Sequence, residues 1–271
     1  MKARVIVLIV AVLLIALAAL PAGAITGGVP DGGQHPYVGL VVFYDANGAP
    51  LWRCSGTLLT STLFLTAGHC TAPDGPAVPD SARVWFDENV TTSTGYPYRG
   101  GVTGTPYTHP SFNFGAFPAT YDVGVVVLNT PVTDKDYGAL PPVGLLSDLD
   151  TRRGQKDLTF MVVGYGLQEI KPTFMAERSR LKATSTLVNL RSALTDGYNI
   201  HTSNNPGKGN GRGEASGGTC FGDSGGPVFY PADSNQVVGI TSFGLNQNCK
   251  GADFAFRTDL PGLAAWILGP H

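Results

Sequence analysis

A serine flanked by small residues lies late in the chain, in the segment GDSGGP, Gly222–Pro227. Its glycine neighbours leave room for a substrate carbonyl and let the backbone turn until its N–H groups point at one spot. A serine hydroxyl is a weak nucleophile alone, so it needs an adjacent base and a third group that orients the base. The segment therefore predicts acyl transfer by Ser224, provided that the chain supplies both partners.

Two segments upstream could supply the base and the orienting acid. His69 lies in the run LTAGHC, Leu65–Cys70, and Asp122 opens the apolar run Val123–Leu128. A carboxylate at the start of a buried strand is costly unless a partner satisfies it. Each residue alone is typical of ordinary structure, but their joint occurrence with Ser224 favours a Ser-His-Asp arrangement.

Together these segments resemble the three signature blocks of the trypsin/chymotrypsin family of serine peptidases. The resemblance implies that His69 acts as general base and then acid, that Asp122 orients it, and that Ser224 attacks the scissile carbonyl. It also implies an oxyanion hole formed by the backbone N–H groups of Gly222 and Ser224. Lesser segments match in the family's order, from the first half of the chain to its end: Cys54–Leu59, Gly164–Gly166, Ser242–Gly244 and Ala265–Ile267.

The four cysteines are Cys54, Cys70, Cys220 and Cys249, and an even count in an exported chain suggests two disulfides. Sequence alone allows three pairings, whereas the resemblance implies Cys54 with Cys70 and Cys220 with Cys249. Because no C-x-x-C pair occurs, a zinc site is disfavoured. We expect no metal and no cofactor.

The specificity pocket leaves two alternatives open. Trypsin-type members carry an aspartate six residues before the serine, where this chain has Gly218. Gly244 leaves the pocket wall open to a large side chain, and Ser242, Phe243 and Gly244 would pair with the substrate backbone as an added strand. If Asp253 projects into the pocket, basic residues are accepted; if it does not, the pocket is apolar.

The first 24 residues predict a secretory signal peptide. Lys2 and Arg4 precede the apolar run Val5–Leu20, and Ala22–Ala24 fits the small-x-small cleavage pattern. An uncleaved membrane anchor is the alternative, but the run is short for a span, which needs about 20 apolar residues. We expect an extracellular or periplasmic protein without membrane attachment after cleavage.

The next residues, Ile25–Gly28, are similar to the start of the family's active enzymes. There a free amine turns inward and pairs with the aspartate just before the nucleophile. We therefore expect signal cleavage after Ala24 to free the Ile25 amine for a buried ion pair with Asp223. Removing one partner of such a pair is strongly destabilising. The alternative is cleavage elsewhere and a short propeptide.

Composition supports an all-β protein and excludes several classes. Charged residues form only 14% of the 271, the net charge is −2, and no basic block offers a nucleic-acid surface. Low charge also excludes a coiled coil. Short runs typical of strands recur between turn signals such as Asn47-Gly48 and Asp74-Gly75. The runs are Val38–Tyr44, Gly56–Thr66, Arg83–Phe86, Val123–Leu128, Leu158–Val163, Leu181–Leu190, Pro227–Phe229 and Val237–Ser242.

The resemblance implies a chymotrypsin-like architecture: two packed six-stranded antiparallel β-barrels with a C-terminal helix. Within one peptidase domain (25–271), we expect the first barrel at about 25–135, a linker at about 136–156 and the second barrel at about 157–258. Helical periodicity at the end of the chain predicts a helix at about 259–268, with Asp259 as its cap and Pro261 in its first turn.

The predicted function is a secreted serine endopeptidase, a monomer acting on protein or peptide substrates and open to proteinaceous inhibitors. Two alternatives stand beside it. One is an esterase, since GDSGG satisfies G-x-S-x-G, but only His271 follows Ser224 and the elbow needs the order serine, acid, histidine. The other is an inactive binding protein on the same fold. Asn89 opens a glycosylation sequon, and neighbouring Asp87 and Glu88 are weak evidence for calcium.

Overall fold

The computed structural model describes residues 25–72, 78–147, 149, 158–170, 174–205 and 216–271. The predicted signal peptide, the Asp74-Gly75 turn, part of the predicted linker and most of the glycine-rich stretch before Ser224 lie outside the described residues.

Six antiparallel strands close the first barrel in the order β2-β3-β4-β7-β6-β5. Valine and aromatic residues dominate β2, every residue of which is buried. The predicted Asn47-Gly48 turn joins β2 to β3, where Gly48 takes a positive φ of 77°. The strands are β2 Val38–Tyr44, β3 Pro50–Leu58, β4 Leu63–Thr66, β5 Ser81–Trp85, β6 Val102–Thr108 and β7 Gly124–Leu128.

The second barrel also has six antiparallel strands, because β8 pairs with both β9 and β11 and so closes the sheet. A short strand, β1 Val29–Pro30, adds to the outside of β9. The fold class is therefore confirmed. The strands are β8 Thr159–Gly164, β9 Leu181–Asn189, β10 Asn199–Asn204, β11 Pro227–Phe229, β12 Val237–Gly244 and β13 Gly251–Arg257.

Buried apolar residues form two clusters: the first fills the first barrel and extends to Phe229 and Phe256 of the second barrel, and the second lies in the second barrel. Leu40, Phe64 and Trp85 are fully buried in the first, and Phe160 and Ile200 in the second. Removing side chains of this size from water is the main favourable term in folding. The two cores hold the barrels rigid, so that loops from each can meet at fixed positions.

A buried charged cluster ties the N-terminal segment to both barrels. Asp31 accepts hydrogen bonds from Arg180 Nε at 2.9 Å and from His35 N at 2.9 Å, and its other oxygen lies 2.5 Å from His35 Nδ1. Arg180 NH1 reaches the hydroxyl of Tyr165 at 3.1 Å. Although burial acts the other way, the hydrogen bonds from His35 and the charges of His35 and Arg180 lower the pKa of Asp31 to about 2.

Two local expectations need correction. The single strand predicted over Gly56–Thr66 is two strands, because the Thr60 hydroxyl accepts from Leu63 N and turns the chain between β3 and β4. The final helix covers only Leu263–Ile267, and its N-cap is Gly262 at a φ of 81°.

Asp259 is therefore not the helix cap. Its carboxylate pairs with Arg257 and accepts from Leu146 N at 2.7 Å. Among the described residues, no helix is long and apolar enough to cross a membrane.

Candidate active site

The partly exposed His69 and the fully buried Asp122 form a pair on the first barrel. His69 lies in the short helix α1, Gly68–Thr71, which one residue separates from β4, and Asp122 lies two residues before the start of β7. The Nδ1 of His69 lies 2.8 Å from Asp122 Oδ2, and the backbone N–H of His69 donates to Oδ1 at 2.8 Å. Two bonds from one residue fix the ring against the carboxylate and leave Nε2 facing away from it.

The Asp122 carboxylate is completely buried yet stays easy to ionise. Burial acts to raise its pKa, but the charge of His69 and hydrogen bonds from His69 and Ser242 outweigh burial, so the pKa lies below its ordinary value. The Ser242 hydroxyl donates to Oδ2 at 2.5 Å. Sequence reasoning assigned Ser242 to substrate backbone only and missed this contact. A polar residue inside the apolar run of β12 was the available signal.

The turn that carries Ser224 belongs to the second barrel and is wedged against the first. Ser55 N on β3 donates to the Ser224 carbonyl at 2.8 Å. A Cβ on Gly225 would lie 2.5 Å from Ser55 O and 2.8 Å from Ala67 N, so only glycine fits there. This close approach brings the Ser224 turn against the β4–α1 junction that carries His69.

No hydrogen bond joins the Ser224 hydroxyl to His69 among the described residues. The amide N–H groups of Gly222 and Ser224 likewise donate to no other described residue, and Gly222 takes a φ of 95°. Two N–H groups without a described partner, beside the half-buried Ser224, form an arrangement that could bind a developing oxyanion.

Asp223 points away from that hydroxyl into the second barrel. It is fully buried, and its oxygens accept from Gly166 N at 2.8 Å and Cys220 N at 2.9 Å. Burial raises the pKa of Asp223 to about 7, although the bonds from Cys220 N and Gly166 N and the charge of Arg53 act to lower it. A Cβ on Gly166 would lie 2.5 Å from the carboxyl carbon of Asp223, so no side chain fits at position 166.

The first described residues lie close to the same turn. Ile25 is fully buried in the second core, and Thr26 exchanges backbone hydrogen bonds of 2.9 and 3.1 Å with Gly218. No hydrogen bond or ion pair between Ile25 and Asp223 is present in the described chain, in which Ile25 N is part of a peptide bond to Ala24. Their pairing stays a prediction.

The carboxylate of Asp253 lies directly beside Gly218 in the predicted pocket. A Cβ on Gly218 would lie 2.3 Å from Asp253 Oδ2, and one on Gly244 would lie 3.9 Å from Oδ1. The carboxylate accepts from Thr219 N at 2.5 Å and Asn204 Nδ2 at 3.2 Å, and burial raises its pKa to about 6. Asn204, which sequence reasoning missed, has a buried Oδ1 that bonds no described residue.

Phe243, which the sequence also assigned to substrate binding, contacts two other aromatic rings. Its ring stacks on Phe254 at 4.6 Å and meets Phe117 edge-on at 5.4 Å.

Both disulfides adjoin the site. Cys54–Cys70 joins β3 to α1, and Cys220–Cys249 joins the Ser224 turn to the loop before β13. The donor atoms of Cys54, Cys70 and His69 lie within 4.8 Å of one another. Because the two sulfurs are bonded to each other, they are not free thiolates, and this group is not a thiolate metal site.

Comparison with known proteins decides the family. The family model described as Trypsin matches residues 25–267, nearly the whole described chain. The chain belongs to the trypsin family. The relatives of this chain in the family include serine proteases.

The chain is similar to two curated relatives and to one solved structure. Serine protease 1 of Drosophila melanogaster is 26% identical over 257 residues, covering 90% of this chain and 84% of the relative. Brachyurin of Leptuca pugilator is 29% identical, covering 74% and 79%. Among solved structures, HL collagenase superposes with a TM-score of 0.62 at 19% identity, covering 92% of this chain and 97% of that one, a likeness of fold alone.

Proposed function

We propose that this trypsin-family protein is a secreted serine endopeptidase that cleaves peptide bonds through an acyl-enzyme. The observation that carries the proposal is the fixed His69–Asp122 pair on one barrel, facing the glycine-bounded turn of Ser224 on the other. Secretion is inferred from the apolar segment before Ile25 and is consistent with the two disulfides.

In the proposed reaction, His69 removes the proton from the Ser224 hydroxyl while Ser224 attacks the scissile carbonyl carbon. The oxygen becomes negative and accepts from the N–H groups of Gly222 and Ser224. His69 then passes the proton to the leaving amine, and the C–N bond breaks. Water, activated by His69, hydrolyses the ester. Asp122 holds the ring and stabilises the imidazolium, with Ser242 as a positioning residue.

Activation would follow signal cleavage directly. Asp223 is fully buried, its pKa is raised to about 7, and it forms no salt bridge with any described residue; Ile25 is already buried in the same barrel. Freeing the Ile25 amine would let it pair with Asp223 and hold the Ser224 turn. No separate propeptide would then be required.

For specificity we propose that Asp253 lets the pocket accept basic residues. The support is its position beside both Gly218 and Gly244, with the Asn204 Oδ1, which bonds no described residue, nearby as a second acceptor. When Asp253 is protonated, the same pocket would favour uncharged side chains.

The test is peptide hydrolysis by protein that starts at Ile25. Wild type should cut a mixed peptide library, and Ser224→Ala should lose nearly all of that activity. Ser234→Ala is the matched control, because the Ser234 hydroxyl lies in a surface turn, where it donates to Pro231 O and accepts from Gln236 N. Equal turnover by Ser224→Ala would overturn the assignment. No turnover by folded wild type would instead favour a binding protein on the same fold.

A further inference from the structure

Arg53 lies beside the turn that carries Ser224, and Arg178 lies near Arg53, close enough for the two charges to interact. Arg53 belongs to β3, and its Nε is 3.6 Å from the position that a Cβ on Gly222 would occupy. Arg178 precedes β9, and its guanidinium carbon is 4.5 Å from the centre of the Tyr96 ring. Arg53 also interacts with the Tyr96 side chain, so both guanidinium groups border one aromatic residue.

Among the described residues, neither cation is in salt-bridge contact with a carboxylate, whereas Arg180 and Arg257 each pair with an aspartate. The carboxylate charge that acts on Arg53 is that of the buried Asp223. Burial, together with the charge of Arg178, acts to lower the pKa of Arg53. Like charges held together are unfavourable, and an arriving anion would relieve that repulsion.

The position of the pair relative to the substrate follows from the strands on either side of Ser224. On one side, Gly225 N donates to Thr241 O of β12 at 2.8 Å; on the other, Ser55 N of β3 donates to Ser224 O at 2.8 Å. If the acyl half of a substrate extends along the end of β12, the leaving half must pass along β3 and Gly222. Arg53 lies on that second side.

We propose that Arg53 and Arg178 form a subsite for a carboxylate side chain, aspartate or glutamate, within the first two residues after the scissile bond. This inference rests on the proposed peptidase function. A guanidinium offers a planar pair of donors that matches a carboxylate, and the Tyr96 ring holds Arg178 in place by a cation–π contact. The same charges repel lysine at those positions.

The test uses quenched fluorescent peptides that share one cleaved residue and differ only in the first or second residue after the cut. We expect kcat/KM for the glutamate peptide to exceed that of its glutamine match by about tenfold at low salt, the order expected for one charge-assisted hydrogen bond. The preference should shrink at high salt. Arg53→Gln and Arg178→Gln should each bring the Glu-to-Gln ratio towards one.

The ratio is the readout, because it cancels any general effect of a substitution on catalysis. Lys135→Gln, which removes a surface cation that pairs with Asp134, should keep the wild-type ratio. A wild-type ratio of one, or a ratio unchanged in both arginine variants, would overturn the subsite while leaving the peptidase intact.

Binding separates this inference from the proposed function. In the Ser224→Ala variant, calorimetry should give tighter binding of the glutamate peptide than of the glutamine peptide, and Arg53→Gln should abolish the difference. If wild type cleaves nothing, the proposed function fails, and equal binding of the two peptides then overturns the subsite as well.

Discussion

The hydroxyl of Ser55 donates a hydrogen bond to the carbonyl oxygen of Gly222 across 2.9 Å. The same hydroxyl accepts from Tyr165 N at 3.0 Å, and the backbone N–H of Ser55 donates to Ser224 O at 2.8 Å. One residue of the first barrel thus holds both residues whose N–H groups we propose for the oxyanion hole.

We predict that Ser55→Ala lowers kcat by about tenfold, with a smaller change in KM, because loosened oxyanion donors lose stabilisation that exists only in the transition state. The measurement is steady-state kinetics normalised to the titrated active-site concentration. Ser234→Ala serves again as the control. An unchanged kcat, even in a less stable variant, would show that Ser55 does not position these donors.

The second prediction concerns the chain start. Protein beginning at Ile25 should be active, whereas a form with two extra residues before Ile25 should be largely inactive. It should also be less stable at pH 8, by about 3–5 kcal/mol, because the buried Asp223 charge then lacks its partner. Active-site titration and urea unfolding measure the two effects.

The stability of the extended form should also depend on pH, in a direction set by the pKa of Asp223. Since the pKa of Asp223 rises to about 7 on folding from an ordinary 3.8, the extended form holds a proton that its unfolded state has lost. Its stability should therefore fall as pH rises from about 4 to about 7. Asp223→Asn should remove the stability difference between the two starts. Identical pH profiles for both starts would contradict the pairing.

The third prediction concerns Asp253, whose pKa is raised to about 6. For peptides differing only in the cleaved residue, the ratio of kcat/KM for lysine over leucine should climb by about tenfold between pH 5 and pH 7, as one charge appears in the pocket. Asp253→Asn should flatten the climb, and the exposed Asp134→Asn should not. If the ratio still rises with pH in Asp253→Asn, a different titrating group causes the rise.

The fourth prediction concerns the pair of Asp31 and Arg180. Asp31→Asn leaves the buried Arg180 charge without a carboxylate, and Arg180→Met leaves Asp31 with His35 only, so each should cost up to about 3–5 kcal/mol of unfolding free energy, and the double variant less than the sum. Because the pKa of Asp31 is lowered to about 2, this stability is present above pH 4 and is lost as pH falls towards 2. Urea unfolding across this range is the measurement, and additive costs would exclude coupling.

Much of the fold is predictable because strands of this family carry strong local patterns. Val38–Tyr44 and Pro227–Phe229 are apolar and bounded by turn residues, and the observed strands have the same limits. By contrast, β6 contains Gly104 and Pro106, and β10 is mostly polar, so neither has a strand signal of its own. Pairing with neighbouring strands forms them.

The candidate site is predictable only where a residue belongs to a motif. His69, Asp122 and Ser224 stand in recognisable segments, and their catalytic roles stay predictions. The contacts of Ser55, Asn204 and Ser242 arise from chain crossings between segments far apart in sequence, which no local spacing encodes. The same holds for Arg53, because its neighbours in the structure are far from it in sequence.

The most direct test of the central claim is covalent labelling of protein that starts at Ile25 with a serine-reactive phosphonate, read by intact mass and peptide mapping. We expect one adduct per molecule on Ser224, none in Ser224→Ala, and greatly slowed labelling in His69→Ala. Absence of labelling in folded, correctly processed wild type, or an adduct on a different serine, would contradict the account.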